Sequence, residues 1–392
     1  MDKLLLYNTL TQRKEELTPI SRGRVKMFVC GPTVQDRLHT GHAKTYVAYD
    51  VLARLLRFMG YQVTFIMNIT DVDDKICEAA KKARSDPVEY ADRYAKLFVE
   101  DMKELNVSSV DSLERASKYM SEMIRQIGIL IAGGHAYTTG RGVYFDVSTF
   151  PAFGRLSHQT PEELMLRPVD LSADKKSPVD FALWRRTDEF PSWDSPWGRG
   201  RPGWHIEDTA ITISNFGPQY DLHGGAYELV YPHHEAEIAQ AECVTGVSPL
   251  VRYWVHTGLL KVGGEKMSKS QGNAVYLRDV LDHYGANPLR LYILSEHYRA
   301  DTHFSPDRLT EMTRRLNEFR ADTRPLQIRD ARAMDVSEAF LKFKQRLLDD
   351  LNTPSALDFY FSLADTGSSE REKARAAREI QVASNILGVD LT

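Results

Sequence analysis

Val25-Lys26-Met27-Phe28-Val29-Cys30-Gly31-Pro32, followed closely by His39-Thr40-Gly41-His42, is the stretch on which the fold turns. Its first six residues read as a short buried strand, and Gly31-Pro32 breaks it. From about Gly41 to Gly60 the apolar residues fall at helical spacing, among them Val47, Val51, Leu52, Leu55 and Leu56, and Gly60 supplies a stop. Val63-Thr64-Phe65-Ile66-Met67-Asn68-Ile69 is a second β-rich run. Strand, helix, strand in that order is a βαβ unit, which predicts a parallel sheet with helices on its faces.

Outward from this unit, residues 86–133 read as two long amphipathic helices, and strand character returns around Val143-Tyr144-Phe145. The stretch 148–203 is rich in Pro, Ser, Gly and Asp and reads as an insertion of irregular structure and short strands. The α/β pattern resumes at Trp204, and from about Leu277 the chain is helix after helix. The expected division is 1–147 and 204–276 as two halves of one α/β domain, 148–203 as the insertion between them, and 277–392 as a helical stem.

The composition is that of an ordinary globular protein. The chain has 392 residues, 42% hydrophobic and 27% charged, with a net charge of −4, which argues against disordered and fibrous classes. A near-neutral balance neither advertises nor excludes nucleic-acid binding, because a local basic face suffices. Three cysteines, Cys30, Cys77 and Cys243, fit a reducing compartment and no disulfide framework. The N-terminal apolar run is too short for a signal peptide, and no stretch approaches a membrane span, so a cytoplasmic protein without membrane contact is expected.

Two motifs carry chemistry. His39-Thr40-Gly41-His42 opens the first long helix, where free N–H groups and the positive dipole end suit a phosphate. Gly41 lets backbone approach closely, and two imidazoles can donate to charge developing at a phosphorus. Lys266-Met267-Ser268-Lys269-Ser270, flanked by Gly263-Gly264 and Gly272, offers two lysines and two hydroxyls that can close over a pyrophosphate. Alone, the first could be two loop histidines and the second a solvated basic loop. Together, in one parallel α/β chain, they resemble the signature of class I aminoacyl-tRNA synthetases.

Longer blocks resemble the cysteinyl branch: Met27-Phe28-Val29-Cys30-Gly31-Pro32-Thr33-Val34, Asn68-Ile69-Thr70-Asp71-Val72-Asp73-Asp74-Lys75, Arg201-Pro202-Gly203-Trp204-His205-Ile206-Glu207 and Tyr231-Pro232-His233-His234-Glu235-Ala236-Glu237. The two ends match as well, at Asn8-Thr9-Leu10-Thr11 and Asp350-Leu351-Asn352-Thr353-Pro354. The resemblance implies a Rossmann-like catalytic domain with an insertion, followed by an α-helical bundle. It implies activation of cysteine with Mg-ATP (Mg2+ accompanying the nucleotide) and transfer to the acceptor end of tRNA. It gives His39, His42, Lys266 and Lys269 catalytic roles. Gly41 and His223, with His39, His42 and Lys269, would bind ATP, and Trp204 and Thr70 would bind the amino acid. One zinc ion per chain would grip the substrate thiol, with Cys30, Asp208, His233 and Glu237 as ligands. A monomer is expected.

Two positions depart from the family pattern. Where the family has a second cysteine ligand, this chain has Asp208. Aspartate can ligate zinc but is harder than a thiolate, so the metal is either retained with weaker thiol selectivity or lost, with Asp208 a helix-start residue. Gly224-Gly225-Ala226-Tyr227-Glu228-Leu229 replaces the more usual G-G-G-S-D-L, which places a tyrosine in a loop near the nucleotide. On residue type alone Trp204 reads as core, His205 and His223 as structural histidines, and Cys77 and Cys243 as small buried hydrophobes.

The acceptor stays open between two chemistries. The chain as given stops at Leu391-Thr392, where fuller members continue into a region that helps hold the anticodon, and a ligase joining cysteine to an amino sugar in mycothiol synthesis ends near the same point. The sequence leans toward tRNA. Lys175, Lys176, Arg185 and Arg186 in the insertion, and Arg314, Arg315, Arg320 and Arg324 in the stem, are candidate phosphate contacts or simply solvated charge. A non-catalytic paralogue is a third reading, opposed by the two intact motifs.

Overall fold

The structure is a computed structural model describing residues 2–169, 172–267, 272–326, 336–365 and 369–391. Arg24–Val29 is the middle strand of a five-stranded, all-parallel sheet. Gln62–Ile69 and then Ser112–Arg115 lie to one side, and Tyr220–Ala226 and then Val251–Thr257 to the other. The chain therefore reverses its direction of sheet growth between Arg24–Val29 and Tyr220–Ala226. In open α/β sheets a ligand crevice forms at the carboxyl ends of strands at such a switch point. Cys30 sits at that edge, and its backbone N–H donates to Gly224 O at 3.0 Å.

The 19-residue Thr40–Phe58 helix follows the middle strand and packs its apolar stripe, including Val47, Val51, Leu52 and Leu55, into the main core. Gly31 lets the chain leave the strand: a Cβ there would lie 1.8 Å from Asn68 O. The Ser112–Arg115 edge strand lies within the region where sequence periodicity predicts two helices, Pro87–Glu104 and Met120–Ala132 as observed. Its four residues alternate no apolar face; pairing with Gln62–Ile69, Ile66 opposite Ser112, makes them a strand.

A second, antiparallel sheet orders Ala136–Thr138, Gly142–Phe145, Phe181–Arg186 and Gly200–Pro202 over its own core, with Phe145 stacked on Phe181. Its first two strands precede residue 148, so this unit starts near Ala136, earlier than the insertion expected from composition. The Val143–Phe145 run looks the same in sequence whether it joins the parallel sheet or pairs with Trp184 and Ala182, as it does.

Beyond Leu277 the helices Leu277–Tyr284, Ala286–Leu294, Pro306–Thr323, Glu338–Leu348, Thr353–Ser362 and Glu370–Leu387 form the stem. It is fastened to the catalytic domain by a buried ion pair. Arg290 Nη2 donates to Asp50 Oδ2 at 2.7 Å, with both side chains 0% exposed. Arg290 also donates to Leu387 O, Leu105 O and Asn106 O, and Asp50 accepts from Arg54, Ser108 N and Ser109. Gly388 gives the guanidinium room, since a Cβ there would meet Nη2 at 2.1 Å. Burial works to raise the Asp50 pKa, but Arg290 and Arg54 outweigh it and hold the carboxyl below its usual range.

Removing one partner of a buried pair strands the other. Arg290→Met should therefore lower the unfolding free energy by about 3–5 kcal/mol in urea titrations. Because the Asp50 pKa is depressed in the fold, the pair's contribution is full above the unfolded carboxylate value of about 3.9 and is lost as pH falls through the folded value. The gap between wild type and variant should accordingly close only in strong acid.

Candidate active site and metal centre

Three segments converge on the carboxyl edge of the sheet. Cys30 comes from the end of the middle strand. Asp208 comes from the Trp204–Phe216 helix, and His233 and Glu237 from the turn and helix that follow Tyr220–Ala226. One donor atom from each of Cys30, Asp208, His233 and Glu237 falls within 4.8 Å of the others, and all four side chains are buried. Asp208 Oδ2 is 3.3 Å from Cys30 Sγ and 3.1 Å from His233 Nε2. Spaced four apart, His233 and Glu237 face the same way, with Nε2 3.2 Å from Oε1.

Supporting hydrogen bonds aim these groups. Asn68 Nδ2 donates to Asp208 Oδ1 at 2.7 Å, and Asn68 Oδ1 accepts from Gly31 N, tying Asp208 to the Cys30 loop. His233 Nδ1 is 2.9 Å from His205 Nδ1, and Trp204 stacks on His233 with centroids 4.1 Å apart. Behind Cys30 lie two more imidazoles: His234 Nε2 at 3.1 Å and His223 Nε2 at 3.5 Å from Sγ.

The electrostatics mark a place for a cation. Burial, then Asp208 and Glu237, push the Cys30 thiol well above its ordinary pKa, and burial, then Asp208, does the same to Glu237. Burial pushes His223 and His234 down, so they stay neutral and can act as ligands. Both Glu237 carboxylate oxygens are buried without a hydrogen-bond partner among the described residues. A buried carboxylate left in this state is unfavourable unless a cation joins it. Thiolate, imidazole and carboxylate donors are those zinc takes, so the residues fit the metal.

Cys30, Asp208 and His233 open onto a cleft of about 610 Å3, whose walls also include His39, His42, Asn68, Lys75, Trp204 and Glu228. His39 caps the Thr40–Phe58 helix, its N–H donates to His42 Nδ1 at 3.2 Å, and the two rings lie 3.8 Å apart. Gly41 holds the turn close: a Cβ there would meet the His39 ring at 2.9 Å. Met267 of the second motif packs here, its Sδ 3.3 Å from Thr40 Oγ1, and Thr40 N donates to Val275 O. Lys266 is described only by its backbone, in the Glu265–Lys266 strand, and Lys269 lies outside the described residues. A larger cavity of about 790 Å3, between Arg54 and the stem residues Arg320 and Gln381, contains none of these motif residues.

The remaining expected residues fall as follows. Trp204 lines the cleft beside His233, with Lys75 Nζ 5.9 Å from its ring centroid. Thr70 is buried and donates to Glu207 Oε2 at 2.9 Å, and burial, then Asp208, raises the Glu207 pKa. His223 was expected at the nucleotide; it is instead fully buried behind Cys30, away from the cleft wall. Tyr227 is 60% exposed and the cleft is walled by its neighbours Ala226 and Glu228, so the departure from the family pattern projects outward. Asn68, His234 and His256 were not singled out in sequence; the His233-His234 doublet was the available signal.

A family model described as tRNA synthetases class I (C) catalytic domain matches residues 16–314. A cysteine–tRNA ligase of Thermoplasma acidophilum is 47% identical over 322 residues, covering 82% of this chain and 71% of that enzyme. The chain belongs to the cysteinyl class I synthetase family. Further cysteine–tRNA ligases, of Heliobacterium modesticaldum and Shewanella loihica, are 39% and 41% identical over 99% of this chain and 87% and 83% of their own lengths. Among solved structures, the methionyl-tRNA synthetase of Mycobacterium tuberculosis with methionyl-adenylate superposes with a TM-score of 0.66 at 17% identity, covering 93% of this chain and 89% of its own. The LeuRS–tRNA–LeuAMS complex of Agrobacterium radiobacter superposes at 0.69 and 12%, covering 96% and 85%. At such identities these two speak for the fold: a class I synthetase α/β domain with a helical stem.

Asn68 fixes the donor set without being part of it. Asn68→Ala should lower divalent-cation affinity by about 10–100-fold while far-ultraviolet circular dichroism is unchanged, as measured by competition with a chromogenic chelator. Unaltered affinity would remove Asn68 from this role.

Proposed function

We propose that this chain is an ATP-dependent cysteine–tRNA ligase acting in the cytoplasm. The observation that carries the reading is that the His39-Thr40-Gly41-His42 helix start and the Cys30–Asp208–His233 face line one cleft. One end suits a polyphosphate, and the other a thiol.

In the first step a carboxylate oxygen of cysteine attacks the α-phosphorus of Mg-ATP. The bond to the bridging oxygen breaks, pyrophosphate leaves with the electron pair, and cysteinyl-adenylate remains. His39 and His42, at the positive end of the helix, stabilise charge on the phosphoryl oxygens. Lys266 and Lys269 hold the leaving pyrophosphate. In the second step a terminal ribose hydroxyl of tRNA attacks the adenylate carbonyl and AMP departs. Trp204 walls the amino-acid end. Cys30, Asp208, His233 and Glu237 would hold one zinc ion, which when bound takes the substrate thiol as a ligand and matches a serine hydroxyl poorly. Positioning and charge stabilisation supply most of the catalysis.

The family and the named relatives support tRNA as acceptor, and the stem offers it charge. Arg314 lies between Glu311 and Glu318, Arg315 over the Phe361 ring, Arg324 is exposed, and Arg320 donates to Asp390 O. Phosphates can replace the surface carboxylates at Arg314 more readily than the carbonyl at the half-buried Arg320.

Cysteine-dependent ATP–pyrophosphate exchange is the first test. His42→Ala and Lys269→Ala should each reduce it by about 100-fold or more, and absence of exchange with every amino acid would refute adenylate formation. Charging of cysteine tRNA should weaken about tenfold or more between about 50 and about 200 mM salt while exchange changes little, because phosphate contacts release counterions. Exchange without charging at any salt would point to a different acceptor.

A further inference from the structure

The two signature motifs lie far apart in sequence, and the second begins on a small sheet outside the parallel one. Leu260–Val262 pairs antiparallel with Glu265–Lys266, which sets Lys261 opposite Lys266. On its other side Leu260–Val262 pairs parallel with Thr302–His303. Thr302 N donates to Leu259 O at 2.9 Å and Phe304 N to Lys261 O at 2.8 Å, so the base of the hairpin is fixed to the segment around Thr302. The turn Tyr298-Arg299-Ala300-Asp301 leads into that segment.

This turn touches the supports of both motifs. Towards the hairpin, Asp301 uses both carboxylate oxygens: Oδ1 accepts from Leu259 N at 2.8 Å, and Oδ2 lies 2.8 Å from Lys261 Nζ. The Lys261 hydrogen bond is the main cause that holds the Asp301 pKa below its usual range. Towards the first motif, Lys44 of the Thr40–Phe58 helix donates to Ala300 O. Lys44 is 2% exposed, and burial lowers its pKa to about 8 against the pull of Asp301 and Glu296, so near neutral pH its ammonium is protonated and donates. Gly258 admits the turn: its N–H donates to Tyr298 O at 2.8 Å, and a Cβ on it would lie 2.4 Å from Ala300 O.

The turn itself is held from behind by the stem. Asp350, 0% exposed, accepts from the Tyr298 hydroxyl at 2.7 Å, from Arg299 Nε at 2.9 Å and Nη2 at 2.6 Å, and from Tyr7 N at 2.8 Å. The Thr40–Phe58 helix thus meets the hairpin unit at two points one helical turn apart. Thr40 Oγ1 reaches Met267 Sδ at the hairpin's end, and Lys44 reaches the turn that anchors its base.

We propose that Asp301 is a positioning residue for adenylate formation: with Lys44 it holds the hairpin of the second motif in register with the His39-Thr40-Gly41-His42 helix start, so that Lys266 meets the pyrophosphate whose departure His39 and His42 assist. The role rests on the ATP-activation reading, and the clamp on the hydrogen bonds just given. Asp301 acts through Leu259 and Lys261, the ladder partner of Lys266, and not on substrate. A partly exposed ion pair of this kind adds little to stability. Its effect is on rate, because a misplacement of about 1 Å in a group that stabilises a transition state costs about 100-fold.

A double-mutant cycle of Asp301→Ala with Lys266→Ala, read by cysteine-dependent pyrophosphate exchange in the full chain, tests this. Asp301→Ala should lower kcat/KM for ATP by about tenfold or more, while the cysteine Kd, measured by calorimetry without ATP, stays within about twofold. On the Lys266→Ala background the same substitution should cost less than about twofold, because the group whose position it sets is gone. Asp301→Asn, which keeps an acceptor for Leu259 N and gives up the ion pair, should recover part of the loss. Equal losses on both backgrounds, a matching loss of cysteine affinity, or unaltered exchange in Asp301→Ala each overturn the proposal and leave the function intact. If Asp301→Ala fails to fold, Lys261→Met takes its place in the cycle, with the same pattern expected and the same outcomes against it. An unsubstituted chain that shows no exchange overturns the ATP-activation reading and the proposal with it.

Discussion

Cys30, Asp208 and Glu237 are packed together at the buried floor of the cleft, and their mutual repulsion is the constraint around which the site is built. Burial and neighbouring anions drive the pKa values of Cys30 and Glu237 upward together. His223 and His234 stay neutral because burial pushes them down. A cluster of this kind is stable as a proton-rich pocket or as a cation site, and the unpartnered carboxylate of Glu237 favours the second. The rest of the catalytic domain sets these groups in place.

It does so by topology. The parallel sheet reverses its growth between Arg24–Val29 and Tyr220–Ala226, so the crevice opens beside Cys30. The same edge starts the Thr40–Phe58 helix, whose positive end faces one end of the cleft while the thiol site forms the other. Strands provide the rigid floor, and Asn68 joins the Cys30 loop to Asp208 across it. The Asp50–Arg290 pair fastens the stem to the back of that helix, so a long acceptor spanning both units would meet one body.

Much of this was legible in sequence for local reasons. The strand at Val25, the helix that follows and the strand at Val63 show in their periods, and the two signature motifs show in their residue types, the first of them at a helix start. The Ser112–Arg115 strand was not legible, since its residues have no strand pattern and their state comes from pairing with a distant segment. The start of the antiparallel unit was missed for a related reason: Val143–Phe145 has strand character, but its partner Phe181–Arg186 decides which sheet it joins. His223 was assigned to the nucleotide by resemblance, and its place behind Cys30 follows from register, His223 opposite Phe28 and Gly224 opposite Val29. His234 differs from His233 by one step along a turn, which sends one imidazole to the cleft and the other to the back of the thiol.

The central claim is that a metal in this pocket makes the site choose sulfur. The most direct measurement is calorimetric titration of cysteine and of serine into chelator-stripped and zinc-restored protein, with ATP absent. The account predicts that cysteine exceeds serine in affinity by about 100-fold or more with zinc, and that the preference shrinks to about the tenfold that pocket shape alone supplies without it. Equal preference in the stripped and restored proteins would contradict it.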